Sequence, residues 1–189
     1  MNLAWGKKVD AEFREEVEWI SRNLGVDPNH LMAAMAFETG ETFSPSIKNP
    51  GSSATGLIQF MEATAKAMHT TTAKLARMTA VEQLEYVHRY FEPYAEQLAT
   101  LADVYMAILW PKAVGKLDSY ILWTKDGSPK TYAANKGLDT NKDGVITKAE
   151  AASKVHAKLL KGMGAKYLYV DEKPDFSNVK GGSDTVPGP

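Results

Sequence analysis

Glu38 is the residue of this sequence whose type and position most clearly predict chemistry. Leu31, Ala34 and Met35 precede it by seven, four and three residues, which places the four on one stripe of a helix. Burial and the negative end of the helix dipole should both raise the pKa of its carboxyl group, as a general acid near neutral pH requires. The same spacing also fits a glutamate that reaches solvent from a fraying helix end.

A second set of oxygen-bearing residues lies in the segment DTNKDGVITKAE, from Asp139 to Glu150, which matches the EF-hand calcium loop. Gly144 allows the sharp turn of such a loop, and Ile146 is the apolar residue that anchors it in the core. A single loop favours a structural role for the ion over a sensor role. The alternative is a polar turn with no ion, because Thr147 and Glu150 also form a capping-box pattern. The predicted calcium ligands are Asp139, Asn141, Asp143, the backbone carbonyl of Val145, and Glu150.

The elements that must position these residues are helices. Asp10 and Asp27 are good N-caps, Pro28 suits the first position of a helix, and Gly25 and Gly40 suit helix ends. No strand pattern persists, so the predicted fold class is mainly α. The predicted elements are helices from Asp10 to Gly25 and from Asp27 to Gly40, a loop over 41–56, and helices over about 59–68, from Thr79 to Pro93, from Leu101 to Pro111, and over about 148–160.

Length and composition predict one soluble domain. The chain has 189 residues and a net charge of −1, which gives no support to a nucleic-acid partner. The absence of cysteine excludes disulfides and thiolate zinc sites, and neither a membrane span nor a signal peptide is predicted. We expect a monomer with a catalytic domain over 1–170, which includes the calcium loop 139–150, and a flexible C-terminal tail over 171–189.

The residues that follow Glu38 resemble the signature of the lytic transglycosylases. The matching residues cover roughly 25–70 of the chain and are Glu38-Thr39, Asn49-Pro50, Gly56-Leu57-Ile58-Gln59 and Phe60-Met61. The resemblance implies a goose-type lysozyme fold and cleavage of the β-1,4 bond between N-acetylmuramic acid and N-acetylglucosamine in peptidoglycan. It also implies that Glu38 is the acid and base, and that Asn49, Gln59 and Met61 line the sugar groove.

The distribution of carboxylates favours transglycosylation over hydrolysis. Most glycosidases use two carboxylates, yet there is no aspartate between Pro28 and Ala102. The resemblance implies one acid, assisted by the substrate's N-acetyl group, and a 1,6-anhydromuramic product. A hydrolytic muramidase of the same fold remains the alternative, in which Glu41, Asp103 or Asp118 could assist.

The sequence also departs from the family pattern. The family's Ala-Tyr-Asn-Ala-Gly motif is missing, and the corresponding region reads YMAILWPKAVGK. The later tyrosine, Tyr132, resembles a bacteriophage subgroup, and this implies that it binds substrate; the alternative is an aromatic residue packed under the next loop. We therefore expect a phage endolysin that is made in the host cytoplasm and acts at the cell wall after release. A virion-associated lysin, and a non-catalytic module that binds calcium or peptidoglycan, remain alternatives.

Overall fold

Helices form most of the structure, so the predicted mainly α class is confirmed. The structure is a computed structural model that describes residues 2–171, and the predicted tail lies outside the described residues except for Asp171. The α-helices are α1 (Ala11–Leu24), α2 (Pro28–Glu38), α3 (Glu62–Ala67), α4 (Thr72–Leu75), α5 (Ala80–Phe91), α6 (Leu101–Leu109), α7 (Pro129–Asn135) and α8 (Lys148–Gly162).

Five of the six predicted helix starts are confirmed. The Asp10 carboxylate accepts a hydrogen bond from the backbone N–H of Phe13 at 2.9 Å, and Asp27 caps α2 in the same way. Thr79 and Glu82 form the capping box of α5. The helix predicted over 59–68 is shorter, because Gln59 has a φ of +53°, a left-handed conformation in which a helix does not continue.

Four short strands were not predicted. They are β1 (Asn2–Leu3), β2 (Ile121–Thr124), β3 (Val145–Thr147) and β4 (Tyr169–Val170). β1 pairs antiparallel with β4, and β2 pairs antiparallel with β3. Strands of two to four residues are too short to show an alternating pattern. The short helices α4 and α7 escaped prediction for the same reason.

The helix that carries Glu38 crosses the middle of the molecule. α2 packs against α1, α6 and α8, and every residue from Leu31 to Ala36 is buried. The helix is therefore apolar on all sides, and the stripe inferred from spacing understates its burial. Among residues 2–171, no helix is both long enough and apolar enough to cross a membrane.

Candidate functional site

Glu38 is the last residue of α2, where the buried helix meets the following loop. Thr39 fixes this end, because its hydroxyl donates to the carbonyl of Met35 at 2.7 Å and accepts from the backbone N–H of Phe43 at 3.0 Å. The Glu38 side chain is half-buried and has no hydrogen bond or ion pair with any of residues 2–171. Burial raises the pKa of its carboxyl group from an ordinary 4.5 to about 7. Glu38 can therefore hold a proton near neutral pH and can also release it.

Two tyrosines from separate helices are close enough to interact electrostatically with Glu38. Burial, and then the charges of Tyr94 and Glu38, raises the pKa of Tyr90 to about 12. Burial, and then the charge of Glu38, raises the pKa of Tyr105 as well. The Tyr90 hydroxyl donates to the carbonyl of Ala107 at 2.8 Å, which ties α5 to α6.

Sequence reasoning missed both tyrosines as neighbours of the acid. Their local signal is weak, because a tyrosine on the apolar face of a helix is ordinarily a core residue. Tyr105 is only 4% exposed, and its ring meets the Phe37 ring edge-on, with the ring centroids 5.4 Å apart. Phe37 precedes Glu38, so this contact fixes α6 against the end of α2.

The loop that carries the predicted sugar-binding residues contacts Tyr90 through Phe60. The Phe60 ring meets the Tyr90 ring edge-on, with the centroids 6.1 Å apart. The neighbouring Gln59 is half-buried, and its amide donates to the carbonyl of Gly56 at 3.1 Å. Met61 is 47% exposed, and its role in binding sugar stays a prediction. Tyr90 thus joins this loop to the surroundings of Glu38.

Asn49 is exposed at the outer part of the same loop. Its side-chain oxygen accepts from the backbone N–H of Gly51 at 2.9 Å, and its own backbone N–H donates to the carbonyl of Ala54 at 3.0 Å. The amide nitrogen of its side chain makes no hydrogen bond with residues 2–171. Asn49 therefore turns the loop and still has a donor for a ligand.

Gln83 of α5 holds the loop in place, and sequence reasoning did not identify it. Its side chain is fully buried and accepts from the backbone N–H of Leu57 at 2.7 Å. Its amide nitrogen donates to the carbonyls of Pro45 at 3.0 Å and Leu75 at 2.9 Å. Gly56 has a φ of +82° and lies so close to this amide that a Cβ atom there would overlap it. The available signal was its position four residues before Val87, which places Gln83 on the buried face of α5.

The other carboxylates near the loop have structural partners. Glu41 accepts from Lys158 and from Lys161, the latter at 2.6 Å, and these hydrogen bonds lower the pKa of its carboxyl group. Glu62 accepts from the backbone and hydroxyl of Thr72 at 2.9 and 2.6 Å. Both carboxylates are therefore held ionised and already paired, unlike Glu38.

Asp103 is also engaged. Its carboxylate lies 2.5 Å from the Lys148 ammonium, and the two side chains are 6% and 2% exposed. Burial opposes its ionisation, but hydrogen bonds from Lys148, Thr100 and Gly115 prevail and lower its pKa. Lys148 follows β3 directly, so this buried pair joins the predicted calcium loop to α6, the helix of Tyr105.

At the first position of the predicted calcium loop, the Asp139 carboxylate has one oxygen without a hydrogen-bond partner within residues 2–171. Asp139 is 7% exposed; its Oδ2 accepts from the backbone N–H of Gly144 at 3.0 Å and from the Tyr132 hydroxyl at 2.6 Å. Its Oδ1 is buried and has no hydrogen-bond partner within residues 2–171. A buried carboxylate oxygen without a partner is costly, and a bound cation is one way to satisfy it. On this observation, Asp139 fits the first ligand of a calcium site.

The remaining predicted ligands hold the loop through internal hydrogen bonds. Asn141 donates to Asp143 at 2.9 Å, and Asp143 accepts from the backbone N–H of Val145 at 2.8 Å. Glu150 accepts from Thr147, so the predicted capping box of α8 is confirmed. Glu150 also accepts from Thr140. Among residues 2–171, no three carboxylate or imidazole side chains lie close enough together to hold a metal ion. Calcium binding stays a prediction.

The structure thus places the predicted site residues in two groups. Glu38 interacts electrostatically with Tyr90, whose ring contacts Phe60 in the loop of Asn49, Gln59 and Met61. Tyr132 belongs with Asp139 in the calcium loop, and its substrate-binding role stays a prediction. No protein-family model matches the chain, and no curated protein matches it with statistical significance.

Proposed function

We propose that this chain is a peptidoglycan lytic transglycosylase with a lysozyme-like fold, and that Glu38 is its acid and base. The observation that supports this most directly is the half-buried Glu38 carboxyl group, whose pKa is raised to about 7 and which has no partner within residues 2–171. A carboxyl group of this kind is partly protonated at neutral pH, and its proton is available to a ligand. The substrate is the β-1,4 bond between N-acetylmuramic acid and N-acetylglucosamine.

In the proposed reaction, protonated Glu38 donates its proton to the bridging oxygen as the bond from this oxygen to the anomeric carbon breaks. The substrate's own N-acetyl oxygen stabilises the anomeric carbon. The muramic 6-hydroxyl then bonds to that carbon and returns its proton to Glu38, which closes the 1,6-anhydro ring. The proton count is balanced, and Glu38 ends as it began.

The pairing of the nearby carboxylates supports a mechanism with one acid. Most glycoside hydrolases use a second carboxylate to activate water or to form a covalent intermediate. Glu41 is bound by two lysines, Asp103 is buried against Lys148, and Glu62 is bound to Thr72. Using any of them would require breaking a structural contact.

We further propose that the protein is a phage endolysin, made in the host cytoplasm and acting at the cell wall after release. This proposal rests on the resemblance of its motifs to the bacteriophage subgroup. Calcium would be held by Asp139, Asn141, Asp143, the carbonyl of Val145, and Glu150. It would neutralise the charge of these carboxylates and stabilise the native state.

Digestion of purified peptidoglycan, followed by mass spectrometry of the sugar ends, tests the proposal. We expect 1,6-anhydromuramic ends from the unmodified protein and no soluble product from Glu38→Gln. Glu41→Gln is the matched control, since it removes a neighbouring carboxylate that already has partners, and it should still release product. Reducing ends would instead identify a hydrolase, and product from Glu38→Gln would refute the role of Glu38. Wall binding without release would identify a non-catalytic module.

A further inference from the structure

We propose that Tyr132 is a positioning residue of the calcium site, which acts by holding Asp139 with one oxygen directed to the ion. This inference rests on the proposed calcium binding, and it gives Tyr132 a different role from the substrate contact that the sequence resemblance implies. It is independent of whether the protein cleaves glycan.

The central observation is that the two carboxylate oxygens of Asp139 differ in their hydrogen bonding. Oδ2 accepts two hydrogen bonds, from the Tyr132 hydroxyl at 2.6 Å and from the backbone N–H of Gly144 at 3.0 Å. Oδ1 accepts none from residues 2–171, although it is buried. The two donors prevent the carboxylate from rotating, so the oxygen without a partner has a fixed position. A ligand oxygen fixed in advance loses little freedom when the ion binds.

Tyr132 is itself held firmly enough to act in this way. Its backbone N–H donates to the carbonyl of Ser128 at 2.8 Å in the first turn of α7. Its ring packs against the core cluster that includes Trp123, Leu138 and Ile146. Ile146 belongs to the calcium loop, and Trp123 pairs with it across β2 and β3. The hydroxyl of Tyr132 therefore contacts the first residue of the calcium loop, and its ring packs against the apolar cluster that includes Ile146 of the same loop.

A calcium titration by calorimetry, performed on the full chain, tests this inference. Loss of an outer hydrogen-bond partner of a metal ligand ordinarily weakens metal affinity by about 10- to 100-fold. We expect Tyr132→Phe to raise the calcium Kd by about tenfold or more. The matched control is Tyr120→Phe, which removes a hydroxyl from the same core cluster without contacting Asp139, and its Kd should equal that of the unmodified protein.

The outcomes distinguish failure of the proposed calcium site from failure of the proposed positioning role of Tyr132. If the unmodified protein binds no calcium, the calcium site itself is refuted, whatever the glycan products are. If it binds calcium and Tyr132→Phe has the same Kd, Tyr132 does not position Asp139 and the present inference fails. Weaker lysis by Tyr132→Phe at saturating calcium, with an unaltered calcium Kd, would indicate that Tyr132 binds substrate instead.

A second measurement needs no variant and covers the case in which Tyr132→Phe does not fold. In unmodified protein with ¹³C-labelled tyrosine rings, calcium should shift the ring resonances of Tyr132 more than those of Tyr120. Calcium binding with no larger shift at Tyr132 would overturn the inference.

Discussion

Replacing Glu38 by glutamine should make the folded protein more stable at alkaline pH, while it removes the proposed activity. The pKa of Glu38 is about 7 in the folded protein and about 4.5 when exposed. The folded state therefore holds the proton more tightly than the unfolded chain. It follows that the contribution of Glu38 to the free energy of unfolding falls as the pH rises from 4.5 through 7. Below pH 4.5 and above pH 7 this contribution does not change with pH.

The expected change in the free energy of unfolding follows from the size of the pKa shift of Glu38. Each pKa unit corresponds to about 1.4 kcal/mol, so a fully desolvated group would lose about 3 kcal/mol across this window. Glu38 is half-buried, and water screens part of that cost, which leaves about 2 kcal/mol. Glutamine fills nearly the same space and does not ionise. Glu38→Gln and the unmodified protein should thus have the same free energy of unfolding at pH 4. At pH 8 the free energy of unfolding of Glu38→Gln should be higher by about 2 kcal/mol.

Urea unfolding at pH 4, 6 and 8 measures the difference directly. Glu41→Gln is a control with the opposite sign. Lys158 and Lys161 lower the pKa of Glu41, so its stabilising contribution is present at neutral pH and is lost as the pH falls. This variant should be less stable than the unmodified protein at pH 8, by less than about 1 kcal/mol because the pair is partly solvated. A Glu38→Gln advantage that is independent of pH, or that grows towards acid pH, would refute the burial argument.

Three further predictions concern what holds the site. Gln83→Leu leaves the buried N–H of Leu57 without a partner and should lower the free energy of unfolding by about 3 kcal/mol, measured in urea, whereas an unchanged value would mean that the loop is held otherwise. Lys148→Met leaves the Asp103 carboxylate buried without its ion pair and should cost about 3 kcal/mol; adding Asp103→Asn should recover part of this loss, and strict additivity would argue against coupling. Calcium at 100 times its Kd should add about 2.7 kcal/mol of stability, seen as a higher melting temperature that EGTA abolishes, and a temperature unaffected by either would contradict the calcium proposal.

The helices and their caps could be predicted from sequence because the responsible interactions are local. Asp10, Asp27 and Thr79 each cap a helix through backbone groups two or three residues away. The raised pKa of Glu38 was also predictable in direction, since an apolar helix leads into it. Burial is the cause of the shift.

The neighbours of these residues could not be predicted, because they come from distant parts of the chain. Tyr90 and Tyr105 reach Glu38 only through the packing of α5 and α6 near the end of α2, and nothing in their local sequence distinguishes them from core tyrosines. Gln83 meets Leu57 across 26 positions of sequence. The sequence by itself determined which residues carry oxygen atoms at chemically useful spacings. Tertiary structure alone decided which of those oxygens already have partners and which remain free, because burial and pairing are properties of packed neighbours rather than of sequence spacing.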